Sequence, residues 1–312
     1  MEEMTSSATN RALEEMENSG QAATDAMVDT LREQLELSQE ELPAGEIVLS
    51  PEEERLLQEA LEDAHQEIPV NSATLKLDDT TSRFSGAIWY EAIQDKTITL
   101  AGLGGIGSYV GFLLSRMHPK QIYLYDDDVV EAANMSGQLY SNTDIGGYKS
   151  HNLGAMMRNY SGYHSTTEYT DRFGEYSEGT NIMICGFDNM AARATFFKAW
   201  KEHIGMLSQE DKKKCLFIDG RLAAEEFQIL CITGDNADAI VKYEKDFLFS
   251  DDQADATICS YKQTTFCANM IASYMVNNFV NFVANECDPL IPRTVPFYTY
   301  YNAGTMYLKI EE

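Results

Sequence analysis

The residues Gly102-Leu103-Gly104-Gly105-Ile106-Gly107-Ser108 have the types and spacing to cradle a phosphate. The apolar run before them, Thr97-Ile98-Thr99-Leu100-Ala101, predicts a buried strand. After them, Val110, Leu113, Leu114 and Met117 share one face of a predicted helix. Strand, Gly-x-Gly-x-x-Gly and helix, in that order, bring free backbone N–H groups and the positive end of a helix dipole against an anionic oxygen. Glycine lets the chain come that close because it has no Cβ. A second apolar run, Gln121-Ile122-Tyr123-Leu124-Tyr125, ends in Asp126-Asp127-Asp128, and Asp126 lies 19 residues past Gly107. A carboxylate at roughly 20 residues is where a βαβ unit grips ribose hydroxyls. The competing use of such glycines is close helix–sheet packing with no ligand.

Other polar groups are spaced to reach the same crevice. Asn134 and Gln138 follow the second strand, and Lys149 opens a predicted helix in Asp144-Ile145-Gly146-Gly147-Tyr148-Lys149. Asp188 follows a third apolar run, Asn181-Ile182-Met183-Ile184-Cys185-Gly186. Strand C-termini of an open α/β sheet converge on one crevice, so an amide, a lysine and a carboxylate stand beside the phosphate loop. An NAD-dependent oxidoreductase fits the glycine turn and Asp126, but NAD needs neither the lysine nor the second acid. ATP with Mg2+ needs both: Lys149 for phosphate oxygens and Asp188 for the metal. Asp188 also stands where a helix N-cap belongs. Arg221, in Asp219-Gly220-Arg221, is either a substrate contact or half of an ion pair. Cys259 precedes a predicted helix with Lys262 nearby. That setting can lower a thiol pKa, so Cys259 is a candidate nucleophile as well as an ordinary loop thiol.

From about residue 81 to 310 the chain resembles the ubiquitin-activating-enzyme-like superfamily, the ThiF/MoeB/HesA group. The resemblance rests on the glycine loop, Asp126-Asp127-Asp128-Val129-Val130-Glu131, Asn134 with Gln138, Asp144-Ile145-Gly146 before Lys149, and Asp188. It implies that Gly102, Gly104, Gly105, Gly107, Ser108, Asp126, Asp128, Asn134, Gln138 and Lys149 bind ATP. Within that set Asp126 would hold the ribose, Asn134 and Lys149 would touch phosphates, and Asp188 would bind Mg2+. The implied reaction is adenylation of the C-terminal carboxylate of a small ubiquitin-like or sulfur-carrier protein, with release of pyrophosphate. Some members then capture the acyl group on a cysteine, and members are usually dimers, so a homodimer is implied.

Two positions depart from the group. Where it has Asn-x-x-Arg-Gln, this chain has Asn134-Met135-Ser136-Gly137-Gln138, and where it has an arginine before the first strand, this chain has Arg83-Phe84-Ser85-Gly86. Arg83, Arg193 and Arg221 are candidates to stand in. A non-catalytic nucleotide-binding adaptor of the same fold is the alternative consequence.

The elements that must position these groups follow an alternating pattern. Strands are predicted near 97–102, 121–126, 181–186, 215–219 and 226–232. Helices are predicted at 107–118, 147–159, 189–204 and 263–285, and a hairpin over 297–310 turns at Asn302-Ala303-Gly304. The fold class is α/β: a Rossmann-like, doubly wound, mainly parallel sheet with a C-terminal antiparallel β-hairpin and an acidic helical N-terminal extension. Residues 1–70 hold 19 acids, three arginines and no aromatic residue. They read as that extension, helical or partly disordered, and residues 71–312 as the nucleotide-binding adenylyltransferase domain.

A net charge of −27 over 312 residues excludes nucleic acid and anionic membrane as partners of the whole surface. Six cysteines without a Cys-x-x-Cys pair exclude a structural zinc site and a disulfide framework. With no secretory signal and no run of apolar residues long enough to span a bilayer, the expected setting is cytoplasmic.

Overall fold

A computed structural model describes residues 82–84, 86–250 and 263–312. The expectations for residues 1–70 and for Cys259 lie outside the described residues. Five strands run parallel in the order β3-β2-β1-β4-β5: β1 (Thr97–Ala101), β2 (Gln121–Tyr125), β3 (Thr166–Tyr169), β4 (Ile182–Cys185) and β5 (Leu216–Ala223). Three antiparallel strands extend the sheet beyond β5: β6 (Glu226–Thr233), β7 (Tyr298–Asn302) and β8 (Tyr307–Glu311). The helices are α1 (Tyr90–Gln94), α2 (Gly105–Ser115), α3 (Lys149–Ser161), α4 (Met190–Gly205), α5 (Gln209–Lys212), α6 (Ala237–Asp246) and α7 (Thr265–Cys287). The sheet is Rossmann-like, as the alternation of apolar runs and amphipathic stretches requires. Among the described residues no helix is long and apolar enough to cross a membrane.

Register fixes where the site lies. Ala101 at the end of β1 pairs with Tyr125 of β2 and Cys185 of β4, and Cys185 pairs with Asp219 of β5. The residues that follow, Gly102, Asp126, Gly186 and Gly220, therefore emerge at one edge. Chain order reverses direction between β1 and β4, which is where an open α/β sheet leaves a crevice.

β4 is buried on both faces along its whole length, which is why Ile-Met-Ile-Cys suffices to define it. One face carries α2, α3 and α7, whose Val110, Leu114, Leu153, Met157, Ile271 and Phe279 share a core with Ile98 and Leu100. The other carries α4 and α6, where Phe196, Phe197, Trp200 and Tyr243 cluster with Met183 and Phe217.

The short helices α1 and α5, the strand β3 and the helix α6 have no counterpart in the sequence reading. β3, Thr-Thr-Glu-Tyr, is a half-buried edge strand with no apolar alternation to announce it. α6 follows the Asn236 cap, whose Oδ1 accepts from Ala239 N at 3.0 Å, but only Ala239 and Tyr243 of its residues are buried. The C-terminal hairpin is present as β7 and β8, and β6 joins it to the parallel strands.

The second core depends on one large ring. Trp200 is fully buried, its ring 5.5 Å from Phe217 and 5.9 Å from Phe197, with Nε1 donating to Asn181 O at 3.3 Å. Trp200→Ala should cost about 3–5 kcal/mol, because little can collapse into the cavity. Urea unfolding reads this directly, and a loss under 1 kcal/mol would show that the face repacks.

Candidate functional site

The phosphate loop joins β1 to α2. Gly102 has φ +75°, and a Cβ there would sit 3.0 Å from Gly186 C and Phe187 N, so the turn and the close approach of the next strand both need glycine. A Cβ on Gly107 would overlap Gly102 O, closing the turn on itself. Gly104 differs: among the described residues a Cβ there would meet nothing nearer than Gln138 Nε2 at 3.7 Å. Packing within the fold therefore leaves room for a side chain at Gly104, over the N-terminus of α2.

Asp126 is held against this loop. Its Oδ2 accepts from Leu103 N at 2.6 Å and its Oδ1 from Asp128 N at 2.9 Å. Burial raises its carboxyl above the usual range, opposed by Lys149 and the two amides. Lys149, at the start of α3, is buried and points its Nζ at Asp128 Oδ2, 2.7 Å away. Tyr140, which the sequence reading did not single out, ties the parts together: its hydroxyl donates to Leu103 O at 2.7 Å and reaches Lys149 O at 3.4 Å. Lys149, Asp126, Asp128 and the loop thus form one connected group. The three carboxylates of Asp126, Asp127 and Asp128 approach within 4.8 Å of one another. Each is already compensated, by backbone amides, Arg172 and Lys149 respectively.

Asn134 and Gln138 lie on the segment that returns to the loop. Asn134 Oδ1 accepts from Glu131 N at 2.9 Å in a capping box, which leaves its NH2 end for a ligand. Gln138 Oε1 is buried with no partner among the described residues. A buried polar atom left unpaired costs roughly 1–3 kcal/mol, so this amide fits a site that a polar ligand completes. Ser108 is used internally instead: its buried hydroxyl accepts from Leu139 N at 3.1 Å and donates to Gly105 O at 3.5 Å. It anchors the 138–139 segment to α2 rather than facing the crevice.

Asp188 follows β4 and is exposed. The N-cap of α4 is not Asp188 but Asn189, whose Oδ1 accepts from Ala192 N at 2.8 Å. Among the described residues Asp188 Oδ1 accepts from the side chain of Asn189, at 3.1 Å, and its exposed carboxylate could still meet a cation.

Arg193 and Arg221, both candidates to replace a phosphate-binding arginine, are instead locked by one buried acid. Asp219 is fully buried and accepts from Arg193, from Arg221 Nε at 2.8 Å and from the Tyr243 hydroxyl at 2.9 Å. Arg193 also donates to the carbonyls of Phe187 and Gly220, and Arg221 to Phe247 O. Arg193 thereby braces the strand ends, and Arg221 makes the ion pair that is one of its two readings. Arg83 is exposed in a short 3-10 turn.

The ThiF family profile matches residues 77–311. The chain belongs to the ThiF family. A stretch of 57 residues is 42% identical to ubiquitin-like modifier-activating enzyme 5 of Caenorhabditis briggsae, spanning 18% of this chain and 13% of that protein. Another of 131 residues is 30% identical to the same enzyme of Aedes aegypti, spanning 36% of this chain and 33% of that one. The matched stretches thus span a third or less of these relatives. Among solved structures, PaaA superposes with a TM-score of 0.55 at 15% identity, over 92% of this chain and 81% of PaaA. MccB of E. coli, solved with ATP, gives 0.53 at 12% identity, over 72% of this chain and 66% of MccB. At these identities the likeness shows the shared fold.

Within this ThiF-family fold, Gly86 and Gly137 replace the two expected arginines, and the structure treats them differently. Among the described residues nothing lies within 4 Å of a Cβ at Gly86. A Cβ at Gly137 would stand 2.6 Å from Gln263 Nε2, a residue the sequence reading passed over because it lies far away in the chain.

Burial disfavours the thiolate at three of the described cysteines. Burial pushes Cys185 and Cys231 up to about 12 and Cys215 up to about 11, whereas Cys287 is exposed. With an aromatic disulfide reagent at pH 8, Cys287 should react first among the described thiols and Cys185 and Cys231 only on unfolding, as mass mapping would show. Rapid labelling of Cys185 in the native protein would mean that the strand ends are open.

The ion-pair cluster gives a second expectation. Asp219→Asn removes the shared partner of the buried Arg193 and the half-buried Arg221 and should cost about 3–5 kcal/mol, read by chemical denaturation. An unchanged midpoint would show the arginines are compensated elsewhere.

Proposed function

We propose that this ThiF-family chain is an ATP-dependent adenylyltransferase. Its substrate would be the C-terminal carboxylate of a small ubiquitin-like or sulfur-carrier protein. The observation that carries the reading is Gly104 at the N-cap of α2: among the described residues no packing contact requires glycine there, the preceding residue, Leu103, donates its N–H to Asp126, and Lys149 pairs with Asp128. The names of the relatives, enzymes that activate ubiquitin-like modifiers, support the acceptor class. Family membership favours adenylation over the nicotinamide alternative. A homodimer and a cytoplasmic setting belong to the same proposal.

The chemistry suits these groups. A carboxylate is a poor acyl donor until its oxygen attacks the α-phosphate and expels pyrophosphate, which leaves AMP as a good leaving group. In-line attack builds negative charge on the non-bridging oxygens. Lys149 Nζ and the N–H groups at the start of α2 would stabilise that charge. Asp126, fixed by two backbone amides, would orient the ribose, and the NH2 of Asn134 would reach a phosphate oxygen. Asp188 and its exposed carboxylate would hold Mg2+, which neutralises phosphate charge when bound.

Two variants test this. Gly104→Ala should remain folded, because 3.7 Å is an ordinary contact distance, yet lose ATP·Mg binding by about tenfold or more. Asp188→Ala should slow ATP–pyrophosphate exchange with a cognate carrier by on the order of a hundredfold while ATP binding falls less. Equal exchange by wild type and Asp188→Ala would remove Asp188 from the mechanism. The glycines at 86 and 137 favour a second reading, a nucleotide-binding adaptor without activity. ATP binding without exchange across a panel of carrier proteins would establish it.

A further inference from the structure

Gln263 stands two residues before α7 and pairs with Ala224, just past the end of β5, as an isolated parallel bridge. From there its side chain reaches back over the phosphate loop. A Cβ on Gly105, the first residue of α2, would overlap the Gln263 carboxamide oxygen. A Cβ on Gly137 would lie 2.6 Å from Nε2 and 2.9 Å from Cγ. The carboxamide is therefore wedged between the helix start and the turn that carries Gly137. The adjoining Thr265 hydroxyl donates to Ser136 O and holds the beginning of α7 against that same turn. Glycine at 105 and glycine at 137 are both conditions for this side chain to be where it is.

A second amide stands near the same loop. Gln138 Nε2 lies 3.7 Å from a Cβ placed on Gly104, and Gln138 Oε1 is buried without a partner among the described residues. Two neutral carboxamides thus flank Gly104 and Gly105 at the positive end of α2. Neither brings charge. Each brings NH2 donors at the height of the loop, where a phosphate oxygen seeks hydrogen bonds.

We infer that Gln263 is a phosphate-contacting residue of this site, entering from the start of α7 and filling with an uncharged amide the space that a side chain at position 137 would otherwise occupy. The inference rests on the ATP reading and sharpens it. Phosphate binding here uses the helix dipole, Lys149 and amide donors, and the glycine at 137 is the partner of Gln263 and not simply a lost group.

Gln263→Glu tests it in the full chain. The change is nearly isosteric but sets a negative charge beside the phosphates, so ATP affinity measured by calorimetry should fall on the order of tenfold or more. The loss should shrink from ATP to ADP to AMP, which a purely structural role would not produce. Gln263→Ala should weaken ATP binding severalfold by removing donors. Gly137→Ala should lower the thermal midpoint in wild type but not in the Gln263→Ala background. Unchanged or tighter ATP binding by Gln263→Ala would overturn the inference, since the side chain would then only cover the loop. So would a loss in Gln263→Glu that is equal for all three nucleotides. If wild type binds none of the three, the ATP reading itself fails and the inference falls with it.

Discussion

One buried carboxylate organises the carboxyl edge of the sheet. Asp219, on β5, faces two guanidinium groups, a tyrosine hydroxyl and the Cys185 thiol of β4. A single acid between two arginines is short of one negative charge, so the cluster stays folded only because carbonyls of Phe187, Gly220 and Phe247 take up the remaining donors. Those carbonyls belong to β5 itself and to the segments leaving β4 and α6. The cluster thereby sets the path of the chain after β4, and that path delivers Asp188 and the start of α4. The burial that makes the ion pairs costly also leaves them little alternative geometry, and the strand ends inherit that rigidity.

On the opposite side of the switch point the same edge is built from backbone. Gly102 N donates to Tyr125 O at 3.1 Å and Gly186 N to Ala101 O at 3.1 Å, so the loop starts flush with its neighbours on both sides. Asp126 and Tyr140 then pull the loop toward β2 and α3 through Leu103, whose N–H and C=O are both engaged. A loop held at both ends can present N–H groups without rearranging when charge develops, and such prearranged dipoles are the effective form of electrostatic stabilisation.

The glycines of the loop look equivalent in sequence and are not equivalent in space. Gly102 and Gly107 answer to the turn, Gly105 answers to the Gln263 side chain arriving from just before α7, and Gly104 meets among the described residues only an ordinary contact with Gln138. A motif written as Gly-x-Gly-x-x-Gly merges three physical causes. Only the neighbours supplied by distant segments separate them.

By itself the sequence determined the α/β class, the parallel core strands, the loop and the acid that follows it. Those features are local: an apolar run buried on both faces, a turn that needs glycine, and a fixed rise from strand end to strand end. The family resemblance was legible for the same reason, since its motifs sit at strand ends. The tertiary structure alone decided which polar groups meet. Arg193 and Arg221 read as possible phosphate ligands until Asp219, buried where no hydropathy pattern marks it, was seen to hold them both. Asn189 rather than Asp188 caps α4 because the cap depends on where one side-chain oxygen falls, a matter of φ and ψ and not of residue type. β3 and α6 went unread because half-buried edge elements bury too little to impose a period. Gln263 went unread because its neighbours lie more than a hundred residues away, and only folding brings a side chain from the start of α7 onto the first turn of α2.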